Sequence, residues 1–255
     1  MSTMGTLLEK AASDNGFDLI LPSLAGWLSF GSSHAPLRIW LSAEGAERIV
    51  LAFSDNKVVF ELSQLCSPYD GALPQGAGAA LVVSEIKDVY PLLKRAFQLS
   101  RSLPNEPLAE FTKETQALPR TTEVERLVVQ RVGQEIFRNR LIDYWDGKCA
   151  VTGLAIAELL RASHIKPWAD CSSDEERLDV FNGLLLAPHL DAVFDRGLIS
   201  FTANGSIIVS NLLSAESFAK LGLDASWKSE KLTDAHEGYL KWHRSKVFRG
   251  EVVGR

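Results

Sequence analysis

The amino-acid sequence predicts an α+β protein. A small N-terminal α+β domain is expected over residues 1–105, a linker over 106–121, and a second domain over 122–255. Three observations carry this. Short apolar segments bounded by Gly, Ser and Pro dominate the first half. A polar stretch with three prolines, LPNEPLAEFTKETQALPRT, interrupts all periodicity before residue 122. Beyond it, two short strand-like runs are followed directly by a helix.

In chain order, GTLLEKAAS (residues 5–13) has the spacing of a short helix. WLSF, PLRIWLSA and RIVLAFS are strand signals, SPYDGALPQGAGAA reads as loop, and EIKDVYPLLKRAFQLSRSL returns to helical spacing with Pro91 near its first turns. After the linker, Thr122 and Glu125 form a capping-box pattern ahead of a helical stripe from Val124 to Trp145, and the helix should end near Asp146-Gly147. A strand around RASHI, a loop through PWADCSSDEERLDVF and a strand GLLLA come next. They lead into a helix, HLDAVFDR, opened by Pro188 and closed by Gly197. LISFT and SIIVS flank an Asn-Gly turn, and DAHEGYLKWHRSKVFRG ends the chain as a helix.

Composition narrows the function classes. The chain is 46% apolar and 23% charged, an ordinary globular balance. No run of eighteen apolar residues occurs and the N-terminus lacks the pattern of a signal peptide, so a soluble cytoplasmic protein with no membrane partner is expected. Cys66, Cys149 and Cys171 are too few and scattered for a disulfide framework or a CxxC zinc site. The formal charge of −5 argues against a protein that coats nucleic acid, though not against one with a local acidic metal site. Residues 1–115 carry 9 basic and 13 acidic side chains, against 18 and 19 in residues 116–255.

The strand-strand-helix segment holds the parts that phosphodiester hydrolysis requires: a base, a cation site and rigid placement of both. His164 ends the first strand and titrates ordinarily near neutrality, which suits general-base work. Asp191 falls in the first turn of the helix, where its carboxylate can face a hard cation. Asn182, just before the second strand, can hydrogen-bond backbone across the loop. Each has a plainer reading: His164 as a surface or structural histidine, Asn182 as a turn residue and Asp191 as a helix-dipole partner; Asp195, one turn on from Asp191, reads as a partner of Arg196 or Arg161. Trp168 and Phe194 read first as core beneath the hairpin, and Cys149 as a packing residue.

CAVTG (149–153), ASHIKPW (162–168), NGLLLAPHLDAVFDRGLISF (182–201) and VGQEIFRNRLIDYWDGKC (132–149) together resemble bacterial HNH endonucleases of the branch without zinc-binding cysteine pairs. The likeness runs from about Val132 to Phe201 and extends toward YLKWHRSKVFR. It implies that residues 122–255 form an HNH nuclease domain built on a ββα-metal finger, with one divalent cation (Mg²⁺ or Mn²⁺) and cleavage of DNA that leaves a 5′-phosphate. By position His164 resembles the general base, Asn182 the middle residue of the signature, and Asp191 the final metal-binding position. Many such enzymes have Asp or His just before the base, where this chain has Ser163, a weak ligand. Metal binding then rests on Asp191 with waters and substrate phosphate, or on help from Asp195 or His189. Arg161, Lys166 and Arg196 are candidate phosphate contacts. Arg126, Arg131, Arg138 and Arg140, with Lys241, Arg244, Lys246 and Arg249, form either a DNA track or an ordinary polar surface. Cutting both strands with one finger would need two sites, so a homodimer is among the expectations. The N-terminal domain is expected to direct cutting to modified or foreign DNA in a restriction or defence system. The alternative is a non-catalytic nucleic-acid-binding protein with a degenerate finger.

Overall fold

The computed structural model describes residues 3–252, apart from 25, 46, 64, 65, 104, 120 and 230. The chain divides into two compact units, 1–101 and 102–255.

The first unit contains α1 (Thr3–Asp14), β1 (Leu19–Leu24), β2 (Trp27–Gly31), β3 (Ile39–Ala43), β4 (Ile49–Phe53), α2 (Asn56–Leu62), β5 (Ser67–Pro68), β6 (Ala79–Val83) and α3 (Ile86–Ser102), whose last residue opens the second unit. The strands form one antiparallel sheet in the order β1-β2-β3-β4-β6-β5. Register explains why β4, Ile-Val-Leu-Ala-Phe, is buried along its whole length. Leu51 sits between Leu41 and Leu81 on one face, while Ala52 sits between Trp40 and Ala80 on the other. The Trp40 face gathers Trp27, Trp40, Val50, Ala52 and Ala80 under Tyr69 and Ala77. Helix α1 packs on β3, and α2 on β4 and β6. Burial on both faces favours the continuous β-branched and aliphatic run seen there.

Two expectations fail in this unit. Ser67–Pro68 and Ala79–Ala80, read as loop, are sheet: Gly and Pro crowd the ten residues between them and mask two short pairings. The strand β1 had no counterpart in the sequence reading. It carries Pro22 at a register shift between Leu21 and Leu24, which an edge strand tolerates because one side of it has no partner to lose.

The second unit begins with a further correction. Much of the stretch expected as a linker is helix α4 (Asn105–Thr115), with Pro107, Phe111 and Thr115 buried. Pro107 lies in the first turn, where a missing N–H costs nothing, so the proline that argued for a linker is compatible with a helix start. Helix α5 (Glu123–Tyr144) opens with the expected capping box: the Glu125 amide donates to Thr122 Oγ1 at 3.2 Å, and the Thr122 amide donates to the Glu125 carboxylate at 2.8 Å. It ends where left-handed Asp146 (φ 57°) and Gly147 (φ 64°) turn the chain out.

The expected β-β-α order follows as β7 (Arg161–His164), a connection holding the short helix α6 (Asp174–Leu178), β8 (Gly183–Leu186) and α7 (Pro188–Asp195). The two strands are antiparallel, with Ser163 opposite Leu184 and His164 opposite Gly183. Pro188 opens α7 and Gly197 (φ 68°) terminates it. The Asn-Gly hairpin joins β9 (Ile199–Phe201) to β10 (Ile207–Val209); α8 (Ala215–Lys220) and α9 (Asp234–Lys246) complete the unit. Among the described residues no helix is long and apolar enough to cross a membrane.

Candidate active site

Two glycines shape the surroundings of His164. Gly183 faces it across the hairpin, and a Cβ there would stand 2.6 Å from the Phe137 ring and 2.8 Å from Leu141. Its absence lets α5 lie close to β8 and puts Phe137 flat against the imidazole, with centroids 3.8 Å apart and planes 17° apart. Gly133, one turn earlier on α5, would meet the Trp168 ring at 2.5 Å and Phe111 at 3.2 Å if it carried a Cβ. Trp168 therefore reaches His164 edge-on, at 5.6 Å and 88°. Trp168 was expected as core. It is instead only partly buried and forms a wall of the site, while Phe194 is fully buried as expected.

The His164 Nε2 lies 2.9 Å from the backbone oxygen of Arg177. A carbonyl only accepts, so Nε2 carries the proton and Nδ1 keeps its lone pair. Burial lowers the imidazole pKa from 6.5 to about 4, against the smaller raising effect of the Arg177 carbonyl. That corrects the expectation of ordinary titration near neutrality: enclosure by Phe137 and Trp168 disfavours the imidazolium, and the ring is a neutral base at pH 7.

Asn182 is wholly buried and serves as a brace. Its Oδ1 accepts the Lys166 amide at 2.7 Å, while Nδ2 donates to the carbonyls of Lys166 at 3.1 Å and Glu176 at 3.0 Å and lies 3.4 Å from the Cys171 sulfur. One amide thus ties the exit of β7 to α6, and the side chain is not among those lining the cleft.

That cleft, about 440 Å³, is lined by Arg161, Ser163, His164, Trp168, Asp191 and Asp195, with His243 and Val247 also in its lining. Asp191 and Asp195 are one turn apart on α7, so both project from the same face. Ser163 lies between them and donates to Asp195 at 3.2 Å. Desolvation raises the pKa of both carboxyls; Arg161 and Ser163 offset this at Asp191, and the negative charge of Asp191 adds to it at Asp195. The residues fit a hard cation: an oxygen-only set whose two carboxylates repel each other unless positive charge joins them. Among the described residues no group of three or more His, Cys, Asp or Glu side chains is arranged for a metal.

The three basic candidates separate. Arg161 lines the cleft. Lys166 is held by Glu176, with Nζ to carboxylate distances of 2.8 and 3.0 Å, and is not among the lining residues. Arg196 is exposed at the C-terminal cap of α7, and His189 also lies outside the lining. On α5, Arg138 donates to the carbonyls of Leu160 and Ala157, and Arg140 pairs with Glu110. Arg126 and Arg131 remain exposed.

Sequence reasoning missed Phe137, Gly133, Arg177 and His243. A glycine in the middle of a helix was the available signal for the first two, because it costs about 1 kcal/mol unless something needs the space. His243 is buried flat on Phe194, between the Ser200 hydroxyl at 3.0 Å and the Phe194 carbonyl at 3.2 Å, and burial lowers its pKa to about 4. Both its nitrogens are engaged within the protein.

Residues 149–202, from the turn before β7 through β9, match a family model described as HNH endonuclease. No curated protein matches the chain.

Proposed function

From the HNH endonuclease domain carried in the C-terminal half, we propose that this protein is a metal-dependent nuclease that hydrolyses DNA phosphodiester bonds, with His164 as general base. The observation that supports it best is the His164 tautomer: a carbonyl holds the Nε2 proton and leaves a basic Nδ1 on a ring that lines the same cleft as Asp191 and Asp195.

Asp191, with Asp195 and Ser163 beside it, would hold one Mg²⁺ or Mn²⁺, which when bound supplies a Lewis acid for the charge that builds on the leaving oxygen. His164 Nδ1 takes a proton from water as the water oxygen bonds to phosphorus. The bond from phosphorus to the 3′ oxygen breaks, leaving a 5′-phosphate, and the 3′ oxygen takes its proton from solvent. Phe137 and Trp168 fix the ring plane, and Arg161 donates to a phosphate oxygen.

A cleft whose groups address phosphate carries no base selectivity, so the choice of target falls elsewhere. We assign it to the N-terminal sheet unit, directing the nuclease to modified or foreign DNA in restriction or defence, with a homodimer cutting both strands. The alternative, a non-catalytic finger that only grips nucleic acid, draws on the small ligand set. Plasmid cleavage with Mg²⁺ or Mn²⁺ decides between them: His164→Ala should lower turnover by about 10³-fold, and undiminished cutting by that variant sinks the proposal. Full-length His164→Ala protein should also bind modified duplex more tightly than plain duplex, and equal affinity removes the targeting role.

A further inference from the structure

The neutral imidazole of His164 is a competent base only in one tautomer, and a single backbone carbonyl selects it. That carbonyl belongs to Arg177, in the last turn of the five-residue helix α6, and the connection from β7 to α6 holds one further short turn, Trp168–Asp170, and no sheet pairing. Something has to keep it fixed opposite the imidazole.

The side chain of the same residue does so. Its guanidinium donates from Nη1 to Asp174 Oδ1 at 2.9 Å, from Nη2 to the Cys171 carbonyl at 2.8 Å, and from Nε to the Trp168 carbonyl at 3.3 Å. It also stands 5.8 Å from the Trp168 ring centroid. The fork therefore spans the connection from Trp168 to Asp174 and anchors both the indole beside His164 and the carbonyl that orients it. Arg177 is about three-quarters buried, with 25% of its side chain exposed, and its donors are turned on the protein's own acceptors.

We propose that Arg177 is a positioning residue of the nuclease: its guanidinium cinches the connection between β7 and α6 so that its own carbonyl holds His164 in the Nε2–H tautomer. This rests on the reading of His164 as the base. A lysine cannot reproduce the action, because a single ammonium on a flexible stem does not match three acceptors held in a fork.

The test uses the full chain with ¹⁵N-labelled histidine. Long-range proton–nitrogen spectra at neutral pH report the tautomer of His164, assigned by its loss in His164→Ala, and plasmid cleavage with Mn²⁺ reports turnover. Wild type should show a dominant Nε2–H form. Arg177→Met should average the two tautomers and lower turnover about 30-fold with DNA affinity held within about twofold, since misplacement of a catalytic group costs rate rather than binding. Arg177→Lys should fall between. Arg177→Met with an unchanged tautomer and turnover within about threefold of wild type overturns the proposal. If that variant does not fold, Asp174→Ala removes one anchor alone, and should partly average the tautomer and slow turnover about threefold; no change in either readout is equally fatal. An inactive wild type, or an active His164→Ala, would sink the nuclease reading while leaving the tautomer result to decide the role of Arg177.

Discussion

The N-terminal sheet and the ββα unit solve opposite problems. In the sheet, five-residue strands stack Leu41, Leu51 and Leu81 on one face and Trp40, Ala52 and Ala80 on the other, and order comes from burying apolar surface. In the ββα unit the strands are four residues long, and polar ties hold the connection between them: Asn182 to Lys166 and Glu176, Arg177 to Trp168, Cys171 and Asp174, and the Tyr239 hydroxyl to Asp179 at 2.9 Å. Apolar packing is non-directional and forgives small shifts. Hydrogen bonds fix angle as well as distance, and a base with one competent nitrogen requires both.

The contrast can be broken most directly at His164. His164→Ala should lower cleavage by about 10³-fold, within the range of general-base contributions. Next come two substitutions chosen as opposites. Asn182→Ala removes an amide that satisfies buried backbone groups and should cost about 3 kcal/mol in denaturant unfolding while lowering cleavage about 100-fold. Leu51→Ala, deep in the sheet, should cost a similar amount, about 3 kcal/mol, and leave the cleavage rate per folded molecule unchanged. Equal loss of activity in both would show that the two regions are not built on different terms.

Acid should separate the units as well. The folded pKa values of His164 and His243 lie near 4, below the free value of 6.5, so the unfolded chain binds more protons in between. The stability these residues contribute is whole above about pH 6.5 and is lost as pH falls toward 4, by on the order of 3 kcal/mol for each. His34, the sole histidine of residues 1–101, is exposed. Calorimetric scans from pH 7 to 4.5 should thus show the transition of the second unit falling faster than that of the first.

The smallest effect expected is at the basic residues. Arg161→Ala should flatten the salt dependence of DNA binding by about one unit of slope. Lys166→Ala should leave the slope unchanged and cost about 1 kcal/mol, because its ammonium is engaged by Glu176. A slope change at Lys166 would return it to the DNA surface.

What could be read from the sequence follows the same divide. The strands β2, β3 and β4 announce themselves through apolar runs, and the β-β-α order places Ser163, His164, Asp191 and Asp195 in one cleft. Local signals fail where proline is tolerated at an edge or a helix start, as at Pro22 and Pro107. They fail again where a side chain acts across the fold. The charge of Lys166 says nothing of Glu176 ten residues on, and Phe137 lies 27 residues from the ring it stacks on. Arg177 looks like an ordinary surface cation until its three acceptors are placed around it.

Helix α4 has a consequence for engineering. Phe111 and Trp168 both lie against the bare backbone of Gly133, so the helix found where a linker was expected packs beside one wall of the cleft. A module transplanted from Glu123 onward would bring His164, Asp191 and Asp195 into a new host but leave the Trp168 indole without its support. A graft begun at Ser102 would carry α4 as well, and comparing the two chimaeras would measure how much the cleft depends on a helix that does not line it.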